Sequence, residues 1–183
     1  PYTTLFRSKP FLFDLDPSYS TKTNTFSGGG ALVLNQNYRN STLYNIKYTL
    51  TGSYFHYAPD ANYSKITPSI EFRIRESDFR DNRKQGFLFR QVIVNMEKSN
   101  FLIDNSTLEN YSVFNARYYN TKTELTKHFN FNSDVQFSEN FGKAITEMGF
   151  RKLFENNHQI NLRFYAGFFL YSKTNSNYFS FSL

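Results

Sequence analysis

Polar and apolar residues alternate singly along most of this chain. Between Leu43 and Tyr57, the residues Tyr44, Ile46, Tyr48, Leu50 and Tyr54 fall on one parity, with Asn45, Lys47, Thr49, Thr51 and Ser53 on the other. A period of two marks a strand with unlike faces, because successive side chains of an extended backbone point to opposite sides. After a turn at Ala58-Pro59-Asp60-Ala61-Asn62 the design repeats, with Ile66, Pro68, Ile70, Phe72 and Ile74 against Thr67, Ser69, Glu71, Arg73 and Arg75. Gly86 to Met96 predicts another strand, in which Phe87 and Phe89 share one parity while Val92 and Val94 take the other. That switch predicts a bulge.

Tyr111 to Thr123, His128 to Ser138, Lys143 to Glu155 and Ile160 to Tyr171 continue the pattern, as do Thr23 to Tyr38 before them and Tyr178 to Leu183 after them. Turn-like clusters at 35–41, 77–85, 98–110, 155–158 and 173–177 separate the runs. About eight or nine strands follow from this count. Phe141 to Phe154 comes nearest to a helical period and still reads as strand. Residues 1–22 read as an irregular segment or an edge strand, with a turn at Asp14-Leu15-Asp16 before Pro17. Residues 23–183 read as one wall of antiparallel strands.

Composition sharpens this all-β reading. The 183 residues include 22 Phe and 14 Tyr, with no Trp and no Cys, yet the chain is hydrophilic on average. Aromatic and polar residues must therefore be finely interleaved, and aromatics with Thr favour strands. The absence of cysteine excludes a disulfide scaffold and a thiolate metal site. The net charge of +6 raises nucleic acid as a partner, but the densest basic runs, at Arg73–Arg75 and Arg80–Lys84, have Glu71, Glu76, Asp78 and Asp81 among them. A binding stripe for nucleic acid would be basic throughout, so nucleic acid is not expected as a partner. No apolar run approaches the ~20 residues of a membrane helix. The chain opens on Pro1 with no charged-then-apolar leader, which reads as a processed, trimmed or internal piece.

Alternation of this kind arises in a soluble sheet with one wet face or in a membrane barrel with one lipid face. Strand length, tyrosines near strand ends and charge in mid-strand favour the barrel, since ~9–11 tilted residues cross a bilayer. On that reading Ile46, Leu50, Ile70 and Phe72, with Phe131, Phe150, Leu162 and Phe164, face lipid. The charged parity supplies a lumen: Lys47, Glu71, Arg73, Arg75 and Arg117, with Asp134, Glu147, Arg151 and Arg163. Tyr44, Tyr57, Tyr118 and Tyr171 are candidates for an interfacial girdle. Eight strands suffice to close a small barrel whose interior is filled by side chains.

Other motifs add little chemistry. His56, His128 and His158 lack ligand spacing, and Asp14 with Asp16 supplies too few oxygens for a hard cation, so neither a metal nor a cofactor is expected. Gly28-Gly29-Gly30 lacks the lysine of a phosphate loop and runs on into Ala31-Leu32-Val33-Leu34, as a close-packed or kinked strand would. No Ser/His/Asp arrangement resembles a nucleophile elbow. The sequons at Asn40 and Asn105 fall in expected loops.

Gly149-Phe150-Arg151-Lys152-Leu153-Phe154, the run Asn161 to Leu170, and Asn177-Tyr178-Phe179-Ser180-Phe181 together resemble the barrel region following the gluzincin-like aminopeptidase part of large Bacteroidota envelope proteins. The likeness covers about the last forty residues and implies that this chain is an internal segment with more strands beyond it. The peptidase signature His-Glu-x-x-His is absent, so the resemblance implies no catalytic role. The functional expectation is a non-enzymatic transmembrane β-barrel, or a segment of a larger one, in a bacterial outer membrane. It would act as an anchor or as a subunit of an envelope assembly, with the lipid bilayer or lipopolysaccharide and other envelope proteins as partners. The alternatives are a channel or transporter barrel with a charged lumen, and a soluble secreted sandwich that binds carbohydrate or surfaces.

Overall fold

A computed structural model describes residues 10–21, 25–38, 42–58, 61–76, 82–96 and 110–173. Within them the chain forms one antiparallel sheet in which every strand pairs with its neighbours in sequence. The strands are β1 (Phe11–Ser20), β2 (Thr25–Asn37), β3 (Leu43–Ala58), β4 (Ala61–Ile74), β5 (Arg83–Met96), β6 (Asn110–Thr123), β7 (Lys127–Ser138), β8 (Phe141–Leu153) and β9 (Gln159–Ser172). There is no helix among the described residues. The expected strand at Tyr178 to Leu183 lies outside them, as do the two sequons and the side chains of His56 and Tyr57.

Strands of 10 to 16 residues are well beyond the soluble mode of about five or six. The pairing keeps the two parities apart across the whole sheet. One transverse row reads Phe11, Leu34, Tyr48, Ile70, Phe89, Ala116, Val135, Ala144 and Phe168. The adjacent row, on the other face, passes from Leu12 and Val33 to Thr49, Ser69, Arg90, Asn115, Gln136 and Lys143, and ends at Phe169. A slip of one residue in any pairing would mix them, so the alternation and the register specify each other.

Two local expectations are corrected. The register of β5 with β4 and β6 is unbroken through Val92 and Val94, so no bulge reverses the parity there. Instead both valines face the polar side, where Val94 is only 1% exposed. The ladder between β4 and β5 lapses at Thr67 and Pro68 and resumes in the same register, as expected where proline has no N–H to offer. Real register shifts fall near strand ends, at Leu43/Asn45, His56/Ala58 and Gly142/Lys143. The second correction concerns Asp14, Leu15 and Asp16, which form no turn but pair with Ala31, Gly30 and Gly29 inside β1. Pro17 is tolerated because β1 is an edge strand.

The tight connections use local chemistry. Asn157 adopts φ 60° between β8 and β9, a conformation Asn accepts more readily than most residues. There Phe154 donates its N–H to the His158 carbonyl. Between β6 and β7, Lys122 lies 3.1 Å from Glu124 and holds that exposed carboxyl below the usual carboxylate range. At the ends of the sheet, β1 and β9 are outer strands not paired with each other.

Candidate functional site: the sheltered polar face

The two faces differ in the opposite sense to a water-soluble sheet. The apolar parity is the exposed one. Leu34, Tyr48 and Leu50 are exposed in β2 and β3, Phe87, Phe89 and Ile93 in β5, and Leu162, Phe164 and Phe168 in β9. Among the described residues the buried apolar side chains are only Ile46, Val94 and Phe141. The polar parity holds the buried polar residues Asn45, Asn115, Asp134 and Ser138, while Arg73 and Arg163 on the same parity keep 49% and 71% of their side chains exposed.

A connected polar network spans β5 to β7 on the sheltered face. Arg90 donates Nε–H to Asn115 Oδ1 at 2.9 Å, and Asn115 Nδ2 donates to Asp134 Oδ1 at 2.5 Å. Arg117 Nε donates to Asp134 Oδ2 at 2.8 Å, while Gln136 Nε2 reaches Asp134 Oδ1 at 3.1 Å. The Asp134 carboxylate thus accepts from three side chains, which a buried charge requires. Asn115, 2% exposed, relays between guanidinium and carboxylate because its amide offers both a donor and an acceptor.

A second network lies one step towards the opposite rim. Glu71 Oε1 accepts from Arg73 Nε at 3.0 Å and from the Tyr119 hydroxyl at 2.6 Å. Tyr119 can reach across because Gly86, its partner in β5, leaves room for the ring. A Cβ at Gly86 would stand 2.7 Å from the Tyr119 hydroxyl oxygen. The same device recurs where the Tyr171 ring lies over Gly142, 2.6 Å from the place a Cβ would take, and its hydroxyl donates to the Ser138 carbonyl. Further along, Arg163 Nε meets Glu147 Oε1 at 2.9 Å between β8 and β9.

Lys47, Glu71, Arg73, Arg117, Asp134, Glu147, Arg151 and Arg163 all fall on the polar parity. The structure gathers Arg117 with Asp134, Arg73 with Glu71 and Arg163 with Glu147, and leaves Arg151 apart. Arg75 is different. It follows the end of β4, donates to the Tyr38 carbonyl and stacks over the Tyr44 ring, which makes it a rim residue and not a mid-strand one. The eight apolar candidates share the other parity, where Leu50, Leu162 and Phe164 are exposed. Ile46 departs from them at 8% exposure, between Gln36 and Phe72.

Of the girdle candidates, Tyr44 and Tyr171 sit at strand ends. Tyr118 is well inside β6, its ring centroid 5.0 Å from Phe87 and 6.0 Å from Phe131. It belongs to an aromatic band across the apolar face that also includes Phe72, Phe89 and Phe114.

No family model, curated protein or solved structure matches this chain. No group of three or more metal-ligating side chains occurs among the described residues. The sequence does not single out Arg90, Asn115 or Lys143, and it offers Tyr119 only as an aromatic near a strand end and Gln136 only as a polar-face residue. Gln136 alternates with Val135 and Phe137, a signal that does not single it out, whereas Arg90 is followed by Gln91 and Lys143 stands between Gly142 and Ala144, where the alternation is weak. The role of Asn115 depends on the β6–β7 register, which single-chain periodicity does not supply.

Proposed function

We propose that this chain is the wall, or part of the wall, of a bacterial outer-membrane β-barrel that anchors or belongs to an envelope assembly and carries out no catalysis itself. One observation carries the reading: large apolar side chains line the open face, while the buried polar side chains, Asn45, Asn115, Asp134 and Ser138, all lie on the other. In water each such side chain left uncovered forfeits about 1.5–3 kcal/mol of burial, and a sheet with so few buried apolar groups has little to set against chain entropy. In hydrocarbon the same face is the favourable one. The polar side becomes the interior, and the aromatic band and strand lengths fit a bilayer.

Lipid tolerates no open strand edge, so β1 and β9 need partners. Nine antiparallel strands in sequence order leave β1 and β9 running in the same direction. Antiparallel closure therefore takes an odd number of further strands between them, in keeping with the even-numbered walls of bacterial barrels. The resemblance to the barrel region of Bacteroidota envelope proteins favours additional strands over closure of β1 on β9.

The test is refolding from urea into detergent micelles and into vesicles, followed by electrophoresis with and without boiling. The expected result is a compact band that shifts on heating, together with aggregation in detergent-free buffer. A monodisperse, folded protein in plain buffer would refute the membrane reading and promote the soluble surface-binding one.

A further inference from the structure

On the sheltered face, the ion pairs account for every acid that β3 to β9 contribute, and cations are left over. Glu71 is taken by Arg73, Asp134 by Arg117 and Glu147 by Arg163. Arg90 is bonded to the neutral Asn115 amide, and Lys143 lies 5.9 Å from the Phe141 ring centroid. Neither has a carboxylate partner among the described residues. Both stand in the same transverse row, separated by Asn115 and Gln136, with the Arg117–Asp134 pair one row away. Lys47 adds a cation beside the already paired Glu71.

A ladder that only stiffened the wall would balance its charges, as those three pairs do. A part-buried cation held only by an amide oxygen or a ring face keeps its charge unneutralised, so it draws its counter-charge from solution. Rows of Lys and Arg inside a pore favour anions over cations. We propose that the polar face lines a path for small anions, inorganic anions and carboxylate-bearing solutes, with Arg90 and Lys143 as the residues that set the preference. This rests on the barrel reading above and extends it from anchor to anion-selective pore.

The test is planar-bilayer recording of the refolded protein under a potassium chloride gradient, with insertion checked independently by the heat-shifted band. The wild type is expected to pass chloride over potassium by about tenfold, the lower end of what one-signed clefts achieve. The R90Q/K143Q variant should insert equally well and move towards parity, whereas K152Q, beside the Phe154 ring at the end of β8, should retain the wild-type ratio. Inserted protein that conducts cations preferentially, or whose ratio ignores R90Q/K143Q, overturns the inference. Inserted protein that does not conduct overturns it too, leaving the barrel reading in place. Protein that never inserts removes both.

Discussion

The two faces of this sheet are built from the same strands and the same backbone, yet they hold their side chains by different means. On the apolar face, rings and aliphatic groups meet across strands at loose spacings such as 6.1 Å for Phe72 and Phe89, or 6.5 Å for Phe89 and Phe114, and their outer surfaces stay uncovered. On the polar face, directed bonds of 2.5–3.1 Å tie β5, β6 and β7 together through Asp134. The first kind of contact is insensitive to small changes of shape and relies on the surrounding medium. The second is specific and fails when one member is lost. The apolar face should therefore respond to the solvent it meets, and the polar face to the removal of single atoms.

The largest expected effect falls on the polar side. Replacing Asp134 by Ala strips the acceptor from Asn115, Arg117 and Gln136 and leaves a part-buried guanidinium unpaired, a change that costs about 3–5 kcal/mol. Asp14→Ala, on the exposed β1 edge, should cost no more than about 0.5 kcal/mol. The chain has no tryptophan, so urea unfolding from vesicles would be followed by circular dichroism. Equal stabilities for the two variants would mean that the Asp134 network contributes nothing beyond ordinary surface polarity. An R117Q/D134N double variant should recover part of the loss, because it removes both charges together.

A smaller effect separates the faces by medium. Ile70 and Ser69 are successive residues of β4 on opposite sides. An arginine at Ile70 should destabilise the protein in vesicles by about 2–4 kcal/mol, as a cation near the bilayer midplane does. Ser69→Arg stays on the polar face but stands directly opposite Arg90, so like-charge repulsion should cost it about 1 kcal/mol, still well below the cost at Ile70. If the two arginines cost the same, the apolar face does not lie in hydrocarbon and the inversion needs another cause.

The strands were legible in the sequence because a period of two is written residue by residue. Leu43 to Tyr57, for example, anticipates β3 to within a residue. Parity also sorted Glu71 from Phe72 without knowledge of any partner. What one strand cannot record is which residue lies opposite on the next. Tyr119 and Gly86 are unremarkable until the β5–β6 register sets them side by side, and Asn115 acquires a role only when Arg90 and Asp134 flank it. The misjudged bulge at Val92 has the same root. Periodicity alone assigns every apolar residue to one face, whereas Val94 is buried on the polar side. Edge strands are also obscure, since β1 is exposed on both faces and its Asp-Leu-Asp-Pro run mimics a turn.

The Gly86–Tyr119 pair offers the finest test of how closely the polar face is fitted. A methyl group at position 86 would crowd the Tyr119 hydroxyl oxygen at 2.7 Å as well as the Phe72 carbonyl. The flexible ring can yield, but the backbone of β4 cannot yield without disturbing its ladder with β5. Gly86→Ala should therefore cost about 1–3 kcal/mol, the usual range for overpacking. In a Tyr119→Phe background the hydroxyl is gone and Glu71 has already lost that donor, so the added methyl group should cost measurably less. The coupling between the two substitutions, read from a double-mutant cycle, isolates the ring's share from the backbone's. A methyl group that costs the same in both backgrounds would assign the whole effect to the Phe72 carbonyl. The tyrosine would then be a ring occupying free space on the polar face and not a fitted part of it.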